Sequence, residues 1–241
     1  MGEKLVERQH DHTLTHRPTS GNPVSIMMRG MPRLLAAASA LAVAAGATTM
    51  TISLVATPGS WLAGYVSETG TSGMPHAIPY RCGLLLLALG VALLGLALRR
   101  PLTTPGLSAA AVLAGISGAV PCTNQCPLPP YELTTPADVV HAAATILGML
   151  TLAATMASLW YAHERPAVRR LAALGVCLTV PLGAALGLTM LFAGRGPLAA
   201  TLERLLLLEA VIWLISTAAA AAFPASTSSG PRLIHSPPQA S

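Results

Sequence analysis

Glu209 stands alone in an apolar run, with Leu205 to Leu208 before it and Ala210 to Ile212 after it. At 1.5 Å per residue it lies about 7 Å down a helix from Arg204. A charge at the centre of a membrane helix costs roughly 2.5–3.5 kcal/mol on insertion scales. Glu209 is therefore expected to face a bundle interior or a wet cavity and to have a partner there. Trp213, four residues on, shares its helical face. Two readings follow: the pair lines an outward-opening pocket, or Glu209 bonds a polar group on a neighbouring helix and locks the packing.

His141 is the second candidate. Asp138, His141 and Thr145 fall on one helical face, and an acid three residues before a histidine can orient the imidazole as a base or a ligand. The same stretch, Thr135-Pro136-Ala137-Asp138, also reads as a helix start with Thr as N-cap, Pro at the first helical position and an acid closing the cap. That capping role already accounts for Asp138. If His141 stood opposite Glu209, the two would form an acid and base in one pocket. Ser67 and Glu68, between Gly64 and Gly70, read either as part of a surface turn or as the roof of that pocket. A Ser, a His and an acid invite a hydrolase reading, yet the sequence has no G-x-S-x-G elbow, and a triad is defined by geometry rather than inventory.

Cys122 and Cys126 form a C-x3-C pair among Pro and Asn residues, which a disulfide suits in an oxidising compartment. Free thiols and a metal site are the alternatives. A zinc site needs three or four ligands, and His141 is the one further candidate nearby, so the disulfide is favoured and no metal and no cofactor are expected. Cys82 and Cys177 read as small apolar residues within helices. His10, His12 and His16 flank an acid near the N-terminus and read as part of a polar tail rather than a metal site.

These groups have to be placed by helices in lipid. The chain is 53% hydrophobic and 10% charged, against roughly 25% charged in a soluble globular domain. Six apolar segments stand out, at residues 34–56, 82–98, 106–120, 139–161, 171–192 and 205–223. A spanning helix needs roughly 17–25 such residues, so the third alone is short. The expected fold is all-α, a six-helix transmembrane bundle over 33–223 between polar tails at 1–32 and 224–241 that lack the apolar content to order. Ala45-Gly46-Ala47 resembles a signal cleavage site, but the apolar run continues past it to Ala56, longer than a signal core. Met27, Met28 and Met31 offer alternative starts just before that run.

Charge gives the orientation. Numbering the connections alternately puts eleven of the fourteen Lys and Arg residues on one side, clustered at Arg29 and Arg33, Arg99 and Arg100, and Arg165, Arg169 and Arg170; Arg81, Arg195 and Arg204 fall on the other. The positive-inside rule then places both termini in the cytoplasm. Cations so placed orient helices and are not a nucleic-acid surface. Trp and Tyr sit near segment ends, as interfacial residues do, with Trp213 the exception. Gly90, Gly95, Gly115, Gly118 and the G-x-x-x-G at Gly183 and Gly187 suggest close helix packing within the bundle. Pro181 is expected to kink the fifth helix.

Tyr65-Val66-Ser67-Glu68-Thr69-Gly70, His141 opening the fourth segment, and Leu202-Glu203-Arg204 through Trp213 in the last resemble the bacterial integral-membrane family called domain of unknown function 998. The resemblance covers most of residues 33–223. It implies a six-helix bundle in the bacterial cytoplasmic membrane and marks Ser67, Glu68, His141, Glu203, Arg204 and Trp213 as motif positions. It further implies a distant similarity to the Frag1, DRAM and Sfk1 group, whose eukaryotic members are linked to lipid handling. It brings no activity.

Three functions fit. The first is a non-enzymatic membrane protein that binds or organises membrane lipid through an outward-facing polar pocket of Ser67, Glu68, His141, Arg204, Glu209 and Trp213. The second is a small-solute transporter, which calls for polar residues through the whole thickness; here the ionisable residues gather near one face. The third is a lipid-directed hydrolase using His141 with Glu209 or Glu68.

Overall fold

The computed structural model describes residues 23–58, 64–127 and 132–223. Trp61, Tyr131, the N-terminal histidines and most of both expected tails lie outside them. Among the described residues the protein is all-helical: α1 (Pro23–Ala56), a short 3-10 helix (Val66–Gly70), α2 (Ala77–Leu98), α3 (Thr103–Ala119), α4 (Pro136–Ala162), α5 (Pro166–Phe192) and α6 (Pro197–Ala222). The helices begin before the apolar segments do. Pro136, Pro166 and Pro197 open α4, α5 and α6, where a missing N–H and a fixed φ suit the first turn. The polar residues that follow belong to the helix but not to the hydropathic run. α1 likewise starts at Pro23, inside the stretch expected as tail.

Five helices are long and apolar enough to cross a membrane: α1 from Gly30, α2, α4, α5 and α6. α3 has 17 residues, about 25 Å at 1.5 Å each, short of the roughly 30 Å hydrocarbon core. Each helix packs on the next in sequence, and α6 closes onto α1, so the six form a ring. Neighbours run antiparallel. The α1–α2, α3–α4 and α5–α6 connections therefore share one end, here called the strap end after the 3-10 segment that crosses it. The other end holds Arg99, Arg100, Arg165, Arg169 and Arg170, and there Arg100 reaches Glu164 at 3.2 Å across the two remaining connections.

The α1–α2 seam is the tightest. A Cβ added to Gly46 would stand 2.5 Å from the Gly83 carbonyl oxygen and 2.8 Å from the Leu87 nitrogen. One at Gly90 would meet Val43 in the same way, and the buried Ser39 hydroxyl donates to the Gly90 carbonyl at 2.7 Å. Small residues let the backbones touch, which is how helices associate where lipid removes the hydrophobic drive between them. The expectation for Gly183 and Gly187 does not hold: a Cβ at either, or at Gly115, would meet nothing within 4 Å. The fully buried residues of α5, Val168, Ala172, Gly175 and Thr179, belong to its first half; in the second half Leu186 and Met190 pack on Tyr65, Ala199 and Ala200, and the glycine face is left open. Phe192, Phe223 and Tyr161 are exposed near helix ends, whereas Trp213 is buried against Gly175 and Met156 in the core.

Candidate functional site

The strap is fixed by the first turns of α6. Glu203 accepts the backbone N–H of Val66 at 2.6 Å and that of Ser67 at 3.4 Å. Arg204, next to it, donates to the Gly64 carbonyl at 2.7 Å and, within its own helix, to Ala200 at 2.7 Å. One carboxylate and one guanidinium thus hold the backbone that leads into the 3-10 turn. Behind the turn, Thr69 and Gly70 are buried, and Gly70 lies so close to the Tyr80 ring that a Cβ would come within 2.8 Å of it. Ser67 and Glu68 are both engaged: the Ser67 backbone N–H donates to Glu203, and Glu68 forms an ion pair with Arg195. Arg195 also reaches Glu132 at 3.5 Å and sits over the Tyr65 ring, 5.2 Å from its centroid. Burial, opposed by the nearby Arg195 charge, leaves the Tyr65 phenol above its ordinary pKa, hence neutral at physiological pH. Together these groups line a polar cleft of about 360 Å3 at the strap end.

His141 belongs to a second arrangement, the cap of α3. The helix ends within the bundle, and its last carbonyls need donors. Arg81 supplies two, from Nε to Gly118 at 2.9 Å and from Nη2 to Ala119 at 2.8 Å. His141 Nδ1 lies 3.0 Å from the Ser117 carbonyl and 2.9 Å from that of Val120. Two carbonyl acceptors require Nδ1 to carry the proton, so this nitrogen is not available as a base. Asp138 sits one turn earlier, 1% exposed, and completes the capping box with Thr135 while also accepting the Thr123 N–H at 2.6 Å. The capping reading of the D-x-x-H pair is the one the geometry bears out. Cys122 and Cys126 flank Thr123 and are joined as a disulfide, Cα atoms 5.0 Å apart. Donor atoms of both cysteines and His141 lie within 4.8 Å of one another; with the sulfurs bonded to each other, the group is a disulfide beside an imidazole.

Replacing Asp138 with Asn keeps the shape but turns one oxygen into a donor facing other donors. Given the typical worth of a cap and of charge-assisted bonds, the expected loss is about 2–3 kcal/mol, read as a lowered melting temperature in detergent.

Glu209 occupies a third place, the α5–α6 seam. Its Oε2 accepts the Thr179 hydroxyl at 2.6 Å, and Thr179 in turn lies 3.5 Å from the Met156 sulfur. This is the packing reading of Glu209. Its partner, Thr179, is on the neighbouring α5, whereas His141 bonds the end of α3. Trp213 goes with Glu209, on the side of α6 turned to α5.

What α6 presents on its other side is an apolar cavity of about 400 Å3 inside the ring. Leu207, Val211 and Leu214 of α6 face Met50 and Leu54 of α1, Leu87 and Val91 of α2, Ala110 and Ala114 of α3, and Met149 and Leu152 of α4. α5 contributes no lining residue. Val66 of the strap and Arg204 close it at the strap end. Of the six residues expected to share a pocket, Arg204 alone lines this cavity, and Glu68 lines the polar cleft above. At 100° per residue Glu209 points about 200° away from Leu207. Periodicity alone could have shown that Glu209 and Leu207 diverge, but not which of the two faces the ring.

Five apolar helices of membrane-spanning length, packed in a ring through small residues, fit an integral membrane protein. The family follows from the sequence: residues 35–220 match the model of a family described as protein of unknown function, DUF998, and the chain belongs to it. No curated protein and no solved structure matches it.

Proposed function

We propose that the protein is a non-enzymatic membrane protein that holds a lipid acyl chain in the cavity beneath the strap. The observation that carries this reading is the cavity itself. A space of about 400 Å3 left empty costs its lining the dispersion contacts that a filler would supply. Water does not repay that cost in an apolar space. In a membrane the abundant apolar filler is lipid. A chain leaving the bilayer gains little hydrophobic energy, because lipid tails are as apolar as leucine; packing and the polar groups at the mouth must supply the preference, and binding should be exchangeable. The distribution of cations supports a strap that faces outward with both termini in the cytoplasm, which puts the polar cleft at the headgroup level of the outer leaflet. A hydrolase finds less support, since His141, Glu209 and Ser67 are committed to three separate seams.

Ala114→Phe puts a ring into the space. Lipid that copurifies from phosphatidylglycerol and phosphatidylethanolamine membranes, counted per protein by mass spectrometry, should fall to background while the melting temperature holds or rises. Lipid content equal to that of the unaltered protein would sink the proposal.

A further inference from the structure

Thr51 on α1 and Leu208 on α6 both line the cavity and are both exposed to the outside, Leu208 at 57%. They stand at one height. At the end of the bundle away from the strap, α1 and α6 meet through the buried Ala36 and Ala222; Thr51 is about 22 Å from Ala36 along its helix and Leu208 about 21 Å from Ala222 along the antiparallel one. The two helices are thus closed on alanine at one end and joined at the other by the strap, where Arg204 holds the Gly64 carbonyl at 2.7 Å. Between these closures the cavity reaches the outer surface of the ring. The edge is apolar: the Thr51 hydroxyl is taken up by the Ala47 carbonyl at 2.8 Å within its own helix, and Ile52, Val55 and Leu205 around it are exposed hydrophobic residues.

We infer that the seam between α1 and α6 is a lateral window through which a single acyl chain passes from the leaflet on the strap side into the cavity. The inference rests on the lipid-binding reading above. The occupant is set by location: the window opens within spans α1 and α6, about 6–8 Å below the strap end, where the surroundings are hydrocarbon, whereas the polar route from the strap end is held shut by Glu203 and Arg204 on the strap backbone. An acyl chain entering sideways leaves its headgroup at the interface beside the strap and does not have to carry it through the apolar ring. Thr145 on α4 is also exposed while lining the cavity, and a route beside α4 is the competing one.

The test is the exchange of phosphatidylcholine bearing a fluorescent acyl chain, from protein preloaded in nanodiscs to phosphatidylcholine vesicles. In Thr51→Phe/Leu208→Trp, the exchange rate per bound lipid should fall by about tenfold or more; Thr145→Phe, which narrows the same cavity, should slow it by no more than about threefold. Leu208→Phe alone, a milder change at an exposed position, should give an intermediate rate and serves should the double variant fail to fold. Unaltered exchange in the α1 and α6 variants, or slowing confined to Thr145→Phe, overturns the window. Failure of the lipid-binding reading is separate: it appears as undiminished occupancy in Ala114→Phe, whatever the exchange rates.

Discussion

Gly46→Val should leave little folded protein, whereas Gly183→Ala should fold as well as the parent or better. Both are glycines in apolar helices beside other small residues, so sequence context does not separate them. What separates them is the atom a Cβ would meet. At Gly46 it is the backbone of α2, with Gly83 oxygen at 2.5 Å, Leu87 nitrogen at 2.8 Å and Leu87 Cα at 3.3 Å. Backbone cannot rotate aside as a side chain can, so the helices must part, and the seam through Gly83, Gly90 and the Ser39 bond to the Gly90 carbonyl loosens with them. Overpacking costs typically 1–3 kcal/mol and occasionally more; with the obstacle fixed, at least about 3 kcal/mol is expected for the valine. At Gly183 the space is open, and replacing a helical glycine with alanine favours the helix by up to about 1 kcal/mol. Melting in one detergent decides it. A Gly46→Val protein that melts within a degree or two of the parent would refute the account of this seam.

The same contrast explains what could be read from the sequence. Apolar runs mark the six helices because hydropathy is a property of the segment alone; all six are expected to span, and five are long and apolar enough to do so, the 17-residue α3 being the exception. The start of α4 is legible in Thr135-Pro136-Ala137-Asp138, whereas α5 and α6 begin at Pro166 and Pro197, ahead of their apolar runs, because the first turn of a helix can be polar. Gly46 hides in Ala45-Gly46-Ala47, where it looks like part of a cleavage site, and Gly183-x-x-x-Gly187 looks like an interface although the neighbours of α5 there meet Leu186 and Met190 instead of the glycines. Whether a small residue is a contact depends on which helix closes the ring, and nothing local encodes that. The candidate site is legible in part for a related reason. An intramembrane acid requires a partner, and Glu209 has Thr179; which helix His141 meets is not encoded locally, and it bonds the end of α3. Arg81, which shares with His141 the carbonyls of α3, and Glu203, which fixes the strap, drew less notice because they sit near polar segment ends where an ion is unremarkable.

Glu203 is where the second large effect is expected. Glu203→Ala removes the acceptor of two N–H groups, one of them on the buried Val66, and leaves Arg204 without the neighbouring negative charge. Hydrogen bonds to charged groups are worth about 1.5–3 kcal/mol each, and the unpaired donors add their own cost. A loss of about 3 kcal/mol is expected, concentrated in the strap rather than spread over the bundle, because α1 to α6 keep their own seams. Glu203→Gln retains one carbonyl oxygen, which can still take the shorter Val66 bond, and should lose about half as much. Hydrogen exchange reads this directly: amides of residues 66–71 should lose protection in Glu203→Ala while those at the α1–α2 seam keep theirs. If the strap amides stayed as protected as in the parent, Arg204 and the packing of Gly70 on Tyr80 would suffice to hold the strap, and Glu203 would not be its anchor. Since Val66 also roofs the cavity, a released strap opens the second, polar route beside the lateral one. Acyl-chain exchange should then quicken in Glu203→Ala even where the α1–α6 window is blocked by Thr51→Phe and Leu208→Trp.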